Sequence, residues 1–559
     1  MIGVVAESHE HPIVGEFFEL FKTPWEFYER GRSYDVIVVT AGDVPHANAR
    51  LMVVYGSDIK NIDSRSVAQC TRQRGGTLCD GEQHLPVYGN LLTFAKGSAG
   101  TPFLDTSSGM AGLTIDRDGS TIKRLGYDLF QEVRFLLSNG QPSEHAQIPT
   151  LDLHIGMLRR WILDAGVTLL EISPAPAGHH FAACLTHDID FTGIRNHRCD
   201  HTMWGFLYRS TIGAVRNVVR RRISMTRLLK MWGAAVSLPL VYLKWTKDFW
   251  DPFDWYLRVD GELPSTYFLI PFRGRAGEHV SSSHPSRRAA AYDLADLSDR
   301  FAALNRAGCE IGVHGIDAWH SAGRGREERA RVADVTGAAA SGIRIHWLLR
   351  DGNTASVLDE AGYTYDATFG YNETIGFLNG TAQAFQPAGT RTLLALPLHI
   401  QDGALFYPHA LDLSEPEART RCDAVIGSVR RFGGVITVLW HDRSHGPERF
   451  WGEFYINLVR SLKALGAWFG TAAQVVEWFR QRRAVRFERA GDGAAASIRL
   501  RHRGPEITPP LNIRIYRPSS GRHAMTDLQW SGRSSLEVNT AGHLEDSRMW
   551  SVDPVGFPS

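Results

Sequence analysis

The alternation of apolar and polar positions divides the chain into three stretches of different rhythm. From residue 1 to about 172, short apolar runs at Ile2–Ala6, Val36–Thr40 and Leu51–Tyr55 predict strands, and amphipathic runs at Val14–Tyr28, Tyr127–Leu137 and Asp152–Ala165 predict helices. That mixture predicts an α/β domain over 1–172, with three layers. Between 173 and 482 one unit recurs: an apolar strand, a polar residue or two at its carboxyl end, a loop and a helical stretch. Strands are expected at Phe181–Leu185, Thr266–Ile270, Glu310–Val313, Ile343–Ile345, Thr364–Ala367, Leu393–Leu398 and Val435–Leu439. Helices are expected at Asp293–Ala307, Arg326–Ala340, Ala355–Ala361 and Glu415–Arg431. Seven strands in one direction predict a distorted parallel (β/α) barrel over 173–482. After residue 483, the alternating segments Ala484–Arg489, Ala496–Arg501 and Leu511–Tyr516 predict a small antiparallel β domain over 483–559, with a loosely ordered polar tail.

A basic amphipathic insert over 195–250 interrupts the barrel rhythm. Arg209, Arg216, Arg220, Arg221, Arg222, Arg227, Lys230, Lys244 and Lys247 interleave with Trp204, Phe206, Leu207, Leu228, Leu229, Trp232, Leu238 and Trp245, with almost no acid. Packing of the apolar face on the barrel or on a second subunit is one reading. Peripheral contact with an anionic membrane surface through 201–247 is the other.

Composition changes this picture little. A chain of 559 residues with 43% apolar content predicts two or three domains, each able to bury a core. The net charge of +1 gives no global attraction to nucleic acid, and no recognition motif for it is visible, so no such partner is expected. Six cysteines, at 70, 79, 184, 199, 309 and 422, are too scattered for a disulfide framework and include no CxxC pair. The first ten residues read as a strand rather than a signal peptide, and no uncharged stretch is long enough to span a bilayer. The expectation is a cytoplasmic protein, with peripheral contact at the inner membrane surface if the insert binds lipid. Arg74-Gly75-Gly76 does not form a phosphate-binding fingerprint.

Chemistry collects at the barrel's strand ends. The apolar run Ala182–Leu185 ends in Thr186-His187-Asp188-Ile189-Asp190. If the strand continues, Asp188 and Asp190 share one face, and a cation or a shared proton must relieve their repulsion. Capping of a following helix is the plainer alternative. The other polar residues beyond strand ends are Arg273, His314, Arg344, His346, Asp366, His399, Asp402, His441 and Asp442, and in a parallel barrel all converge on the face that holds the active site.

Taken together, these segments resemble the polysaccharide deacetylase (NodB-homology) superfamily, the family 4 carbohydrate esterases, over roughly 180–480. Thr186–Asp190 resembles the first family motif, which implies Asp188 as general base and Asp190 as metal ligand. Gly312–His320 resembles the second, which carries two metal-binding histidines; here His314 and His320 are six residues apart, about 240° around a helix, so the loop must bend if both are ligands. Ile343–Trp347 resembles the third, which implies that Arg344 holds the catalytic carboxylate. Tyr365–Phe369 resembles the fourth, and Val438–His441 the fifth, which implies His441 as general acid, oriented by Asp366 or Asp442.

The resemblance implies a divalent metal, zinc or a similar ion, on Asp190, His314 and His320, with His346 or His399 as the other candidates for the third ligand. Trp319, Trp347, Tyr371 and Trp440 are candidates for stacking on sugar rings. The implied activity is metal-dependent hydrolysis of the N-acetyl group of an amino sugar in a polysaccharide, glycan precursor or glycolipid. The altered second motif motivates a second class, an inactive barrel that binds glycan or serves in assembly. An O-acetyl ester or a non-sugar amide is a third option.

Overall fold

The strand Ala182–Ile189 is buried at every position, which only a strand covered on both faces tolerates, and in the computed structural model it lies inside a parallel sheet. The structure describes residues 1–63, 71–81, 83–94, 100–117, 119–221, 223–278, 288–490, 497–519 and 522–539. On one side of Ala182–Ile189 the order runs Ser265–Leu269, Glu310–Gly315, Gly342–Ile345, Tyr365–Asp366 and Leu394–Ala395; on the other it runs Val435–Leu439 and Ile400–Gln401. Each of the seven expected segments contributes a strand. Ile400–Gln401 and Trp468–Phe469 are further strands, the latter paired with residues 182–183. The outermost strands, Leu394–Ala395 and Ile400–Gln401, are the two ends of one short segment, so the chain itself runs from one edge of the sheet to the other.

The helices between strands form where the sequence caps them. Glu415–Phe432 opens on a capping box of Ser414 and Glu417 and stops at Gly433, whose φ of 83° is open to glycine. Gly434, with φ 114°, then passes so close to Ala382 that a Cβ would sit 2.6 Å from the Ala382 carbonyl oxygen. This close approach delivers Val435–Leu439 beside the central strand. Ser298–Arg306, Ala322–Thr336 and Thr354–Ala361 fill the other expected helices.

The first 125 residues form a separate nine-stranded sheet, parallel through Trp25–Phe27, Ile2–Val5, Val36–Val39, Leu51–Tyr55 and Ser120–Leu125 and antiparallel beyond. The helix expected at 14–28 is His11–Phe21: Lys22 turns left-handed, Pro24 follows, and Trp25–Phe27 becomes the edge strand. The position expected as a boundary, residue 172, falls inside the strand Leu169–Pro176, which pairs antiparallel with Leu511–Ser519. Arg482 is buried and donates to the carbonyls of Ile172, Ser173, Glu19 and Leu20, so one guanidinium ties three distant stretches together. The described part of 483–559 supplies five strands of two three-stranded antiparallel sheets, the sixth being Leu169–Pro176. Of the last forty residues, where a loosely ordered tail is expected, Arg522–Trp530 and Leu536–Asn539 are strands, and the residues after 539, like Cys70, lie outside the described residues; the five described cysteines are free.

Candidate functional site

Strand parity decides which polar groups meet. Along Thr186-His187-Asp188-Ile189-Asp190 alternate side chains point to opposite faces. Asp188 and Asp190 line a cleft of about 820 Å³ at the carboxyl ends of the strands, a size typical of small-molecule sites. His187 points the other way. Its Nε2 lies 3.0 Å from Asp260 Oδ2, its Nδ1 3.2 Å from the Trp440 carbonyl oxygen, and its ring centroid 3.7 Å from that of Tyr256, so it is a packed structural histidine.

Three groups converge in the cleft: Asp190, His314 and His346, with ligand atoms all within 4.8 Å of one another. Asp190 Oδ1 is 3.2 Å from His314 Nε2 and 3.2 Å from His346 Nδ1, and the two nitrogens are 2.9 Å apart. His314 Nδ1 donates to the Arg344 carbonyl oxygen at 2.9 Å, which leaves the lone pair on the Nε2 that faces the cluster. Burial lowers the His346 pKa and so favours the neutral imidazole that a metal requires. Burial works against ionisation of Asp190, but the imidazoles of His346 and His314 outweigh it and hold the carboxyl well below the usual range. Asp190 Oδ1 is buried with no hydrogen-bond partner, as expected of an oxygen shaped for an ion. One carboxylate and two imidazoles suit zinc or a similar divalent ion.

The third member of this cluster is His346, not His320. The chain after His314 is drawn aside when the Glu328 carboxylate accepts the backbone N–H groups of Ile316 and Asp317, the latter at 2.7 Å. His320 then sits with Nε2 3.3 Å from Asp317 Oδ1. His346 instead follows Arg344 by two residues, just past the end of the neighbouring strand, whose register sets His314 opposite Arg344. The same spacing that places Asp190 beyond Asp188 places His346 beyond Arg344. His399 is buried outside the cluster, with Nδ1 against the backbone N–H of Thr437.

Arg344 holds Asp188. The guanidinium is fully buried, donating to Asp188 Oδ1 at 2.9 Å, Thr186 Oγ1 at 2.8 Å and the Ala367 carbonyl oxygen at 3.0 Å. The other oxygen, Asp188 Oδ2, lies 3.7 Å from His314 Nε2, at the rim of the Asp190–His314–His346 cluster.

The partner of His441 is Asp402, which corrects the expectation of Asp366 or Asp442. Asp402 Oδ1 is 2.5 Å from His441 Nδ1, and Oδ2 accepts the His441 backbone N–H at 2.8 Å and the Ser444 hydroxyl. Burial opposes a charge on His441, yet Asp402, with Asp190 and Asp188 beyond it, pushes the pKa up to about 10. With Nδ1 taken, Nε2 is the nitrogen available to the cleft. Asp366 instead accepts the backbone N–H of Thr368 at 2.9 Å and its hydroxyl, and burial raises its carboxyl to about 6. The Thr368 hydroxyl in turn accepts the Ile345 N–H, so Asp366 braces the strand end that carries Arg344 and leads into His346.

Of the four aromatic candidates, Trp347 alone lines the cleft. Its φ of 65° turns the chain sharply after His346 and sets the indole at the lip. Trp440 lies between Leu439 and His441, which face the cleft, so parity sends it into the core, stacked on Phe454 at 5.9 Å. Tyr371 is buried with its hydroxyl donating to the Gln141 carbonyl oxygen at 2.8 Å, and Trp319 packs on the core beside His320. Phe191 and Tyr407, which parity and strand position left unmarked in the sequence, line the cleft in their place.

No family model matches the sequence, and the comparison with curated proteins returns no match. Among solved structures the chain is similar to polysaccharide deacetylases and family 4 esterases. A candidate polysaccharide deacetylase from Mycobacterium smegmatis is 18% identical, with 56% of this chain and 95% of that chain covered and a TM-score of 0.32. The carbohydrate deacetylase Agd3 is 10% identical over 97% of this chain and 98% of its own, with a TM-score of 0.36. A family 4 acetyl xylan esterase from Clostridium thermocellum, in complex with a cobalt ion, is 12% identical over 53% of this chain and 90% of its own, with a TM-score of 0.24.

Proposed function

We propose that the chain is a metal-dependent deacetylase that hydrolyses the N-acetyl group of an amino sugar in a glycan. The observation that carries this reading is the meeting of three devices in one cleft: the Asp190–His314–His346 cluster, the Asp188–Arg344 pair and the Asp402–His441 pair. Amide hydrolysis needs an activated water, stabilisation of the carbonyl oxygen as it gains charge, and a proton for the departing amine. Asp190, His314 and His346 would hold the divalent ion, which supplies Lewis acidity to water and carbonyl when bound. Asp188, fixed through Oδ1 by Arg344, presents Oδ2 to accept the proton of the attacking water. His441 arrives protonated and gives its proton to the amide nitrogen as the carbon–nitrogen bond breaks, yielding acetate and a free amine. Trp347, with Phe191 and Tyr407, offers ring faces to the sugar. Acetate and amine release from N-acetylated oligosaccharides tests the reading, and O-acetylated ones in the same assay separate amide from ester cleavage.

The Asp402–His441 pair predicts a pH profile. A general acid works while protonated, so its contribution is present below its pKa and lost as pH rises through it. With that pKa pushed up to about 10, the alkaline limb of kcat is expected near that value. Asp402→Asn removes the adjacent charge and is expected to move the limb down toward the ordinary imidazole value of about 6.5. A kcat–pH profile of both proteins checks this, with thermal melting as the folding control. An unmoved limb would remove His441 from the acid role.

A further inference from the structure

The insert is built from helices apolar on two sides. His201–Tyr208, Ala214–Val219 and the π-helical turn Arg209–Gly213 between them form one arm, and Met225–Tyr242 forms the other. The inner sides pack through Met203, Phe206, Leu238 and Val241 around Trp250, and through Ala214, Leu228 and Met231. The outer sides carry a second apolar stripe. On the first arm it is Trp204, Tyr208, Ile212, Val215 and Val219; on the second it is Met225, Leu229, Trp232, Val236, Leu240 and Leu243. Both follow the three-or-four-residue spacing of one helical face. The stripes meet in a shallow groove, where Ile212 and Val215 face Trp232 and Val236.

Among the described residues, twelve of the sixteen exposed large apolar side chains fall between Trp204 and Trp245. A continuous exposed apolar face of this kind marks a surface that something covers.

Charge says what covers it. Residues 201–247 contain nine Lys and Arg and no Asp or Glu, in a chain whose net charge is only +1. The basic residues flank the stripes: Arg209, Arg216 and Arg220 follow Tyr208, Val215 and Val219, and Lys230 and Lys244 follow Leu229 and Leu243. A cationic border around an apolar, Trp-bearing face is the pattern of a helix lying in the interface of an anionic bilayer. A second copy of the chain would bring a face of the same charge. Among the described residues no helix is long and apolar enough to cross a membrane, so the mode is contact along the surface.

We infer that the insert docks on an anionic lipid surface and brings the catalytic cleft to a sugar carried there by a lipid anchor. The link is physical, because His201, Thr202, Gly205 and Arg209 of the first arm form one wall of the cleft that holds Asp190, His314 and His441. The identity of the substrate as a membrane-borne acetylated sugar rests on the deacetylase reading; the docking itself does not.

The test is co-sedimentation of the full chain with vesicles of phosphatidylcholine alone or mixed with phosphatidylglycerol. Binding is expected to be at least about tenfold stronger to the anionic vesicles and to weaken with salt. Ile212→Asp with Val236→Asp, both at exposed positions, is expected to abolish it while leaving the melting temperature and turnover of a soluble acetylated oligosaccharide unchanged. Equal recovery with and without vesicles would overturn the docking, as would a dimer in vesicle-free buffer that this double variant converts to monomer. Acetate release from an N-acetylated glycolipid is expected to be higher in anionic than in neutral vesicles. Turnover of the soluble sugar with none of the vesicle-borne one would overturn the delivery role and leave the deacetylase reading standing, whereas vesicle binding without turnover of either would overturn the deacetylase reading, and the delivery role with it, and leave only the docking.

Discussion

His346→Ala is expected to abolish both metal binding and acetate release, whereas His320→Ala retains both. His346 Nδ1 lies 3.2 Å from Asp190 Oδ1 and 2.9 Å from His314 Nε2, in a pocket of three ligand atoms, so its loss leaves a two-residue site. Even an outer partner of a metal ligand is worth about 10–100-fold in affinity, and a direct ligand is expected to exceed that. His320 lies against Asp317, where the turn braced by Glu328 has carried it away from His314. Metal content after dialysis against a defined zinc concentration, measured on both variants, decides between them. Retention of one equivalent of metal by His346→Ala with its loss from His320→Ala would reverse the assignment.

Asp188→Asn is expected to keep the metal and lose the chemistry. Asparagine preserves the shape beside Arg344 and Thr186 but cannot take a proton from water, and a positioned general base is worth about 10²–10⁴-fold in rate. The expected result is a fall of that size in kcat with little change in KM and an unchanged equivalent of bound ion, because the proposed ligand atoms are those of Asp190, His314 and His346. The neighbouring Arg344 guanidinium still finds the Thr186 hydroxyl and the Ala367 carbonyl oxygen, which limits the structural cost. Retained turnover would take the base role away from Asp188.

Much of this was readable from residue pattern, because apolar runs that end in Asp, His or Arg are the signature of strands covered on both faces with chemistry at one end. Thr186–Asp190 is the clearest case: two-residue spacing predicted that both carboxylates share a face, and both line the cleft. The same rule, applied to Arg344-Ile345-His346, singles out His346. Reading Gly312–His320 as a pair of ligands brought together by a bend in the loop obscured it, since the path of that loop is set by Glu328, a contact from a later helix.

Asp402 was visible as a strand-end acid, but its pairing with His441 depends on the two-residue strand Ile400–Gln401 lying beside Val435–Leu439, and two residues carry no periodic signal. Trp440 shows the opposite lesson, for parity between Leu439 and His441 marks it as core. The antiparallel extension of the first sheet and the pairing of Leu169–Pro176 with Leu511–Ser519 are long-range contacts that local pattern does not encode.

The most direct measurement is of products against bound metal: the purified chain is stripped by a chelator, titrated with zinc, and incubated with an N-acetylated oligosaccharide. Acetate and free amine are expected in equal amounts, absent from the stripped protein and rising until one ion is bound per chain. No acetate from the fully loaded protein on any N-acetylated sugar, or acetate release indifferent to the chelator, would contradict the account.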